Sequence, residues 1–227
     1  MINGILDSGQ KIVTNGLVLN YDVCQLRSYP TTGANITDLS GNDYNGTLVN
    51  GTLFNTLNGG SLYFDGINDY LNCGNTLSYQ NSFTFNIFFK STTTSLQVII
   101  GKFSVTGGDF FIGIISSKLV FSFGSPSKVD IESTINVSDG SWKMATAVFN
   151  RSLNSTFLYI NGILNKTGEN LPLTINEAQG NLMLGKFGDA DNYNFKGNIS
   201  LFNIYNRALT STEVLQNFNA NRLRYGL

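Results

Sequence analysis

The residue types that drive hydrolytic chemistry are sparse in this chain and badly spaced for it. Glu132, Glu169, Glu177 and Glu213 are its only glutamates, and no two are near enough in sequence to share a strand. Glycoside hydrolysis needs two carboxyls about 5–9 Å apart across the scissile bond, and no Glu-x-Asp-x-Glu run supplies them. Histidine is absent altogether. That removes Ser-His-Asp and Cys-His nucleophile systems, the usual zinc ligand and the usual pH switch. No glycine-rich loop is placed to cradle a phosphate. These residues predict a protein that is not an enzyme.

Oxygen chemistry remains. Hard cations take carboxylates, amides and backbone carbonyls presented on loops, and two acidic loops offer them. One carries Asp65, Asn68 and Asp69; the other carries Asp189, Asp191 and Asn192. Calcium is the cofactor they could take. Asx side chains also cap the backbone of their own turns, and both readings stand for either loop. The second loop continues as Asp189-Ala190-Asp191-Asn192-Tyr193-Asn194. Planar hydrogen-bonding groups beside an aromatic ring are what a pyranose requires. Asp189, Asp191, Asn192, Tyr193 and Asn194 are therefore the candidate carbohydrate-binding residues. Tyr29, Tyr44 and Tyr70 are further candidates for an exposed ring.

Such loops must be held by a frame, and the pattern of the chain predicts one made of strands. Segments 17–21, 61–64, 69–73, 83–90, 97–103, 109–115 and 118–123 are rich in β-branched and aromatic residues. So are 142–150, 156–160, 181–186 and 197–205. Phe83, Phe85, Ile87 and Phe89 alternate with Thr84, Asn86 and Phe88, the two-residue period of a strand. Asn45-Gly46 and Asn50-Gly51 are hairpin signals, because both residue types tolerate a left-handed backbone. With 24 Gly and 3 Pro, tight turns about every ten residues predict a sandwich rather than βαβ units. One helix is expected at the C-terminus. There Thr210 and Glu213 have capping-box spacing, and Val214, Leu215 and Phe218 form an apolar stripe. The expected organisation is an N-terminal arm over 1–15, one β-sandwich over 16–209, and a helix and tail over 210–227.

Charge and composition exclude other classes. The net charge is −1 and the 14 basic residues are scattered, whereas a nucleic-acid surface needs a basic stripe that releases counterions. No apolar run reaches membrane-spanning length, so insertion in a membrane is not expected. The N-terminus lacks a basic start followed by an apolar core, so no secretion signal is expected. Cys24 and Cys73 then read as buried thiols of a cytosol-made protein. Trp142, after the turn at Asp139-Gly140, is the expected large core anchor.

Several motifs resemble one known superfamily. They are Asp38-Leu39-Ser40-Gly41-Asn42 with Asn45-Gly46-Thr47-Leu48, Phe64-Asp65-Gly66-Ile67-Asn68-Asp69-Tyr70, and Asp139-Gly140-Ser141-Trp142. Leu158-Tyr159-Ile160-Asn161-Gly162, Phe195-Lys196-Gly197-Asn198-Ile199 and Ile204 to Thr210 complete the set. In this order they resemble the laminin-G-like, concanavalin A-like lectin superfamily over roughly residues 16–220. The resemblance implies an all-β, two-sheet antiparallel jelly-roll sandwich with one short C-terminal helix. Relatives often carry His after the tryptophan; here Lys143 stands there, so any site built on that His is absent. A pentraxin-like pattern would place calcium ligands near 187–189, but only Asp189 matches, since Phe187 and Gly188 are not ligands.

Lys11 to Leu19, Ser28-Tyr29-Pro30 and Gln216 to Ala220 look like laminin-G-like proteins of tailed-phage particles. That narrower resemblance implies a virion structural or decoration protein, made in the host cytoplasm without a signal peptide. It would bind glycans on host cells or in mucus. Its partners would be other virion proteins and further copies of itself, reached through the arm and the tail. An architectural capsid or tail cement without a sugar site is the alternative.

Overall fold

A computed structural model describes residues 9–75, 81–103, 110–123, 129–169, 180–188 and 192–227. These residues form two antiparallel sheets of eight strands each, packed face to face as a jelly-roll sandwich, with one helix near the C-terminus. The strands in chain order are β1 (Leu17–Asp22), β2 (Asn35–Ile36), β3 (Gly46–Val49) and β4 (Leu53–Asn55). Next come β5 (Ser61–Asp65), β6 (Tyr70–Asn72), β7 (Phe83–Lys90) and β8 (Gln97–Lys102). They continue with β9 (Phe110–Ile115), β10 (Lys118–Phe123), β11 (Val129–Asn136) and β12 (Lys143–Asn150). The last four are β13 (Ser155–Ile160), β14 (Ile163–Glu169), β15 (Leu182–Leu184) and β16 (Lys196–Tyr205). The first sheet runs β14-β13-β12-β7-β16-β5-β4, with β1 on the other half of β16; the second runs β11-β10-β9-β8-β15-β6-β3-β2.

The space between the sheets is filled mainly by phenylalanine. Phe83 stacks on Phe149 at 4.9 Å and meets Phe85 at 5.3 Å, Phe123 at 6.2 Å and Phe121 at 6.5 Å. Phe110, Ile112 and Ile114 of β9 face them with Leu119 and Phe121 of β10, all buried. Alternation along β7 puts its odd residues here, as the two-residue period requires.

Thr84, Asn86 and Phe88 of β7 are buried as well, because the outer face of the first sheet is covered by both chain ends. Phe88, Trp142, Met144, Val148, Tyr159 and Tyr205 lie there beneath Val13, Leu209, Val214 and Tyr225. Trp142 is buried as expected, but in this second core rather than between the sheets. Its ring lies 4.8 Å from Tyr225, and its N–H donates to Asn58 Oδ1 at 3.0 Å. Under the same cover Thr146 donates to Asn86 (2.6 Å) and Asn203 donates to Asn20 (2.9 Å). Buried amides and hydroxyls are tolerated where they find such partners.

Helix α1 (Ser211–Asn221) starts at Thr210 with the expected capping box. Its buried face is Val214, Asn217, Ala220 and Asn221, so the expected stripe is corrected at Leu215, which is 43% exposed. The i, i+3 spacing of a helix face selects Asn217 instead. That amide accepts from the Val13 N–H at 2.8 Å and donates to the Tyr205 hydroxyl at 3.0 Å. The described part of the arm and the tail are thus docked on their own sheet.

Glu213 closes the capping box and accepts two bonds from Arg207, at 2.6 and 2.9 Å. The Arg207 hydrogen bond, reinforced by Thr210, holds its carboxyl down at about 2 against an ordinary 4.5. A lowered folded value stabilises above the unfolded value and is lost as pH falls through the folded one. Wild type is therefore expected to lose about 1–2 kcal/mol relative to Glu213→Gln between about pH 4.5 and pH 2. Denaturant titrations at stepped pH measure this, and a pH-independent difference refutes it.

Cys24 and Cys73 are both buried and unpaired. Burial pushes the Cys73 thiol up to about 12 and raises Cys24 as well. Both behave as packing groups, as the sequence suggested. Among the described residues no helix is long and apolar enough to cross a membrane.

Candidate functional site

Both loops singled out by sequence meet at one rim of the sandwich. The 66–69 turn joins β5 to β6, and residues 185–195 join β15 to β16. The base of the second loop is clamped by backbone bonds: Gly185 N–H to Ile99 (2.8 Å), Phe195 N–H to Gly185 (2.9 Å) and Val98 N–H to Tyr193 (2.7 Å). Gly185 needs its positive φ of 88°, and a Cβ there would sit 2.8 Å from the Phe64 ring. Asn194 reaches across to donate to the Ile67 carbonyl, which ties the two loops together. Tyr193 is 39% exposed. Asn192 is exposed and Asn194 buried. Asp189 and Asp191 lie outside the described residues.

The outward face of the second sheet adds a feature that the sequence reading passed over. Register aligns Asp130, Ser122, Phe111, Gly101, Met183, Asn72 and Thr47 in one row across seven strands. Gly101 leaves a notch in that row, and Phe187 lies over it: a Cβ at Gly101 would come within 2.8 Å of the Phe187 ring. Phe187 meets Phe103 at 5.4 Å and Phe111 at 5.7 Å, both edge-on. Phe111 and Phe187 are half-buried and Phe103 is 38% exposed. Together they make an aromatic shelf. On one side Ser122 donates to Asp130 at 2.5 Å. On the other, Lys186 Nζ lies 5.1 Å from the centre of the Tyr70 ring. A glycine inside a strand marks close approach by another group, and Gly101 was the one available signal.

The other proposed rings separate. Tyr29 is corrected: it is 3% exposed, packs on Phe54 at 5.8 Å and donates to the Gly33 carbonyl. An apolar ring next to Phe54 gains more from burial than from solvent. Tyr44 is exposed, but on the loop built around Asp38.

As a calcium cradle, Asp65, Asn68 and Asp69 fit poorly. Asp65 Oδ1 accepts from the Ile67 N–H at 2.7 Å, and Asp69 Oδ2 accepts from the Asp65 N–H at 3.1 Å. The Asn68 carbonyl accepts from Asn50 at 2.9 Å. Burial raises the Asp69 carboxyl above its ordinary value, with the Asp65 N–H working against it. Asx-turn chemistry accounts for this loop. Among the described residues no three of His, Cys, Asp or Glu group to hold a metal.

Glu132, Glu169 and Glu213 lie on β11, β14 and α1, three separate elements. Asp130 and Glu132 share the outer face of edge strand β11, both exposed. Lys143, at the position where relatives often have His, forms an ion pair with Asp139 at 2.9 Å.

The sandwich and its loop rim define a lectin-like architecture. The model of the concanavalin A-like lectin/glucanases superfamily matches residues 64–215, about two thirds of the chain, and the protein belongs to that superfamily. No curated protein sequence matches the chain.

Among solved structures, domain 4 of AbnA is similar at 18% identity and a TM-score of 0.71. It belongs to an extracellular arabinanase of Geobacillus stearothermophilus and was solved with arabinotriose; the match covers 90% of this chain and 98% of that one. The binding domain of botulinum neurotoxin DC, solved with rat synaptotagmin II, matches with a TM-score of 0.73 at 18% identity, covering 91% of this chain and 52% of that one. A structure of botulinum neurotoxin type C, whose cell entry is dependent upon interaction with two ganglioside molecules, matches with a TM-score of 0.73 at 19% identity. There the coverage is 91% of this chain and 51% of that one. The chain thus spans about half the length of the neurotoxin structures. At these identities the likeness is one of fold.

Proposed function

We propose that this protein is a glycan-binding module that acts without catalysis. The saccharide would lie on the outer face of the second sheet, stacked on the Phe187 shelf and bordered by Tyr193, Asn192 and Asn194. The observation that carries this reading is the shelf itself. Phe187 is seated over Gly101 between Phe103 and Phe111 yet keeps part of its surface in solvent. Side-by-side rings left wet beside hydrogen-bonding groups suit the apolar face and the hydroxyl rim of a sugar. The arabinotriose in complex with one structural neighbour and the gangliosides on which cell entry of another depends support the same ligand class.

A place on a phage particle, as a displayed structural or decoration protein, is the wider role we propose. It rests on the resemblance of residues 11–19, 28–30 and 216–220. The first and last of these segments dock on each other, with Gln216 donating to the Lys11 carbonyl at 2.9 Å. Cementing through open sheet edges draws less support. Edge strand β14 is tied to β11 by Asn165, which accepts from the Thr134 N–H (2.7 Å) and donates to its hydroxyl (3.0 Å).

The test is a glycan array followed by NMR titration. Saturable binding of a neutral oligosaccharide is expected, weakened about tenfold by Phe187→Ala and by Tyr193→Ala, the loss of one stacking contact. Flat titrations with the wild-type protein, or variants that bind as it does, refute the reading.

A further inference from the structure

A second cleft lies on the opposite side of the molecule, against the outer face of the first sheet. It encloses about 800 Å³ between residues 10–14, strand β1, the turns at 25–27 and 39–40, and the C-terminal end of α1 with Arg224. Ligand sites commonly fall between about 300 and 1,000 Å³. Three cations line it, Lys11, Arg27 and Arg224, against one carboxylate, Asp22.

The carboxylate is already satisfied. Asp22 accepts from Arg224 Nη1 at 2.9 Å on both oxygens, from Gln25 at 2.8 Å and from the Cys24 N–H at 3.2 Å. The donors are not. Lys11 and Arg27 are exposed and have no carboxylate partner among the described residues. Arg224 binds Asp22 through Nη1, and its guanidinium also has the Cys24 thiol as a hydrogen-bond partner, so Lys11 and Arg27 carry the unanswered charge. Asn20 Oδ1 is taken by Asn203, so its Nδ2 is the free end of that amide. The lining therefore offers surplus donors and two surplus positive charges in a protein whose net charge is −1.

We propose that this cleft is a second binding site, for a carboxylate-bearing oligosaccharide. Carboxylates answer the unpaired guanidinium and ammonium groups, with the planar guanidinium fork well matched to them. Ring hydroxyls answer the side-chain amides. The volume of the cleft suits a chain of sugars rather than a small ion. The site shares no residue with the aromatic shelf and does not depend on it.

Isothermal titration and NMR with oligogalacturonate test it directly. Saturable binding is expected that weakens with added salt, falls about tenfold or more in Lys11→Glu/Arg27→Glu, and is unchanged in Tyr193→Ala and Phe187→Ala. Both charge reversals are at exposed positions, and an unchanged melting temperature confirms that the fold is intact. Three results overturn the proposal: no binding to the wild type, equal binding by the charge-reversed variant, or equal affinity for inorganic phosphate or for a neutral oligosaccharide. A shelf that fails to bind neutral glycans leaves this test unaffected, so the two sites stand or fall separately.

Discussion

Phe83→Ala is expected to remove about 3–5 kcal/mol of stability, the usual cost of truncating a fully buried phenylalanine. Folded domains have only about 5–15 kcal/mol in total, so the variant should lie close to its unfolding threshold. Phe83 is 0% exposed and touches rings from both sheets: Phe85 and Phe149 on its own, and Phe110, Phe121 and Phe123 on the facing one. Few neighbours could collapse into the void, because each is itself held by another ring. Phe83→Leu, which keeps more of the volume, should recover much of the loss. Urea denaturation reads both variants; a cost under about 1 kcal/mol for the alanine would show that the sheets do not lock through this ring.

Arg224→Ala should be nearly as damaging, for an electrostatic reason. Asp22 is 4% exposed in its side chain and Arg224 14% exposed, so the pair is withdrawn from water. Removing one partner of a buried pair costs about 3–5 kcal/mol, since the other charge stays behind uncompensated. Asp22→Asn in the same background should restore part of the stability at neutral pH. A double-mutant cycle with no coupling contradicts this account. The outcome also bears on the tail, because Tyr225 beside this pair stacks on Phe88 at 4.4 Å and donates to Ser200 at 3.0 Å.

Most of the frame was legible in the residues. Alternating or wholly apolar runs marked β7, β8, β9, β10, β12 and β16, because a strand with a buried face repeats every two residues. Strand β14 was not legible: the ILNKTGE segment is mostly exposed and exists by pairing with β13, which leaves no apolar period to read. Strands β2 and β4 are two and three residues long, too short for any pattern. Strand β7 exposed the limit of reading periodicity. Alternation put its polar residues Thr84 and Asn86 opposite the phenylalanine face without saying what covers them; both are fully buried, the Thr84 hydroxyl donating to the Arg207 carbonyl at 2.8 Å.

The site divides in the same way. Tyr193, Asn192 and Asn194 were chosen from residue type, and the fold does place them on a rim with the Asp65–Asp69 turn. Phe187, Phe103 and Phe111 were not chosen, since an exposed phenylalanine and a core phenylalanine look alike in sequence.

By itself the sequence determined the fold class, the helix cap, the burial of both thiols and the absence of histidine chemistry. Each of these follows from residue identity or from spacing along a few consecutive positions. Only the tertiary structure decided that the chain ends form a second core on the first sheet, that one glycine notch assembles three phenylalanines into a shelf, and that Lys11, Arg27 and Arg224 line one cleft. Those features join residues as many as two hundred positions apart, through register and docking that no local pattern encodes.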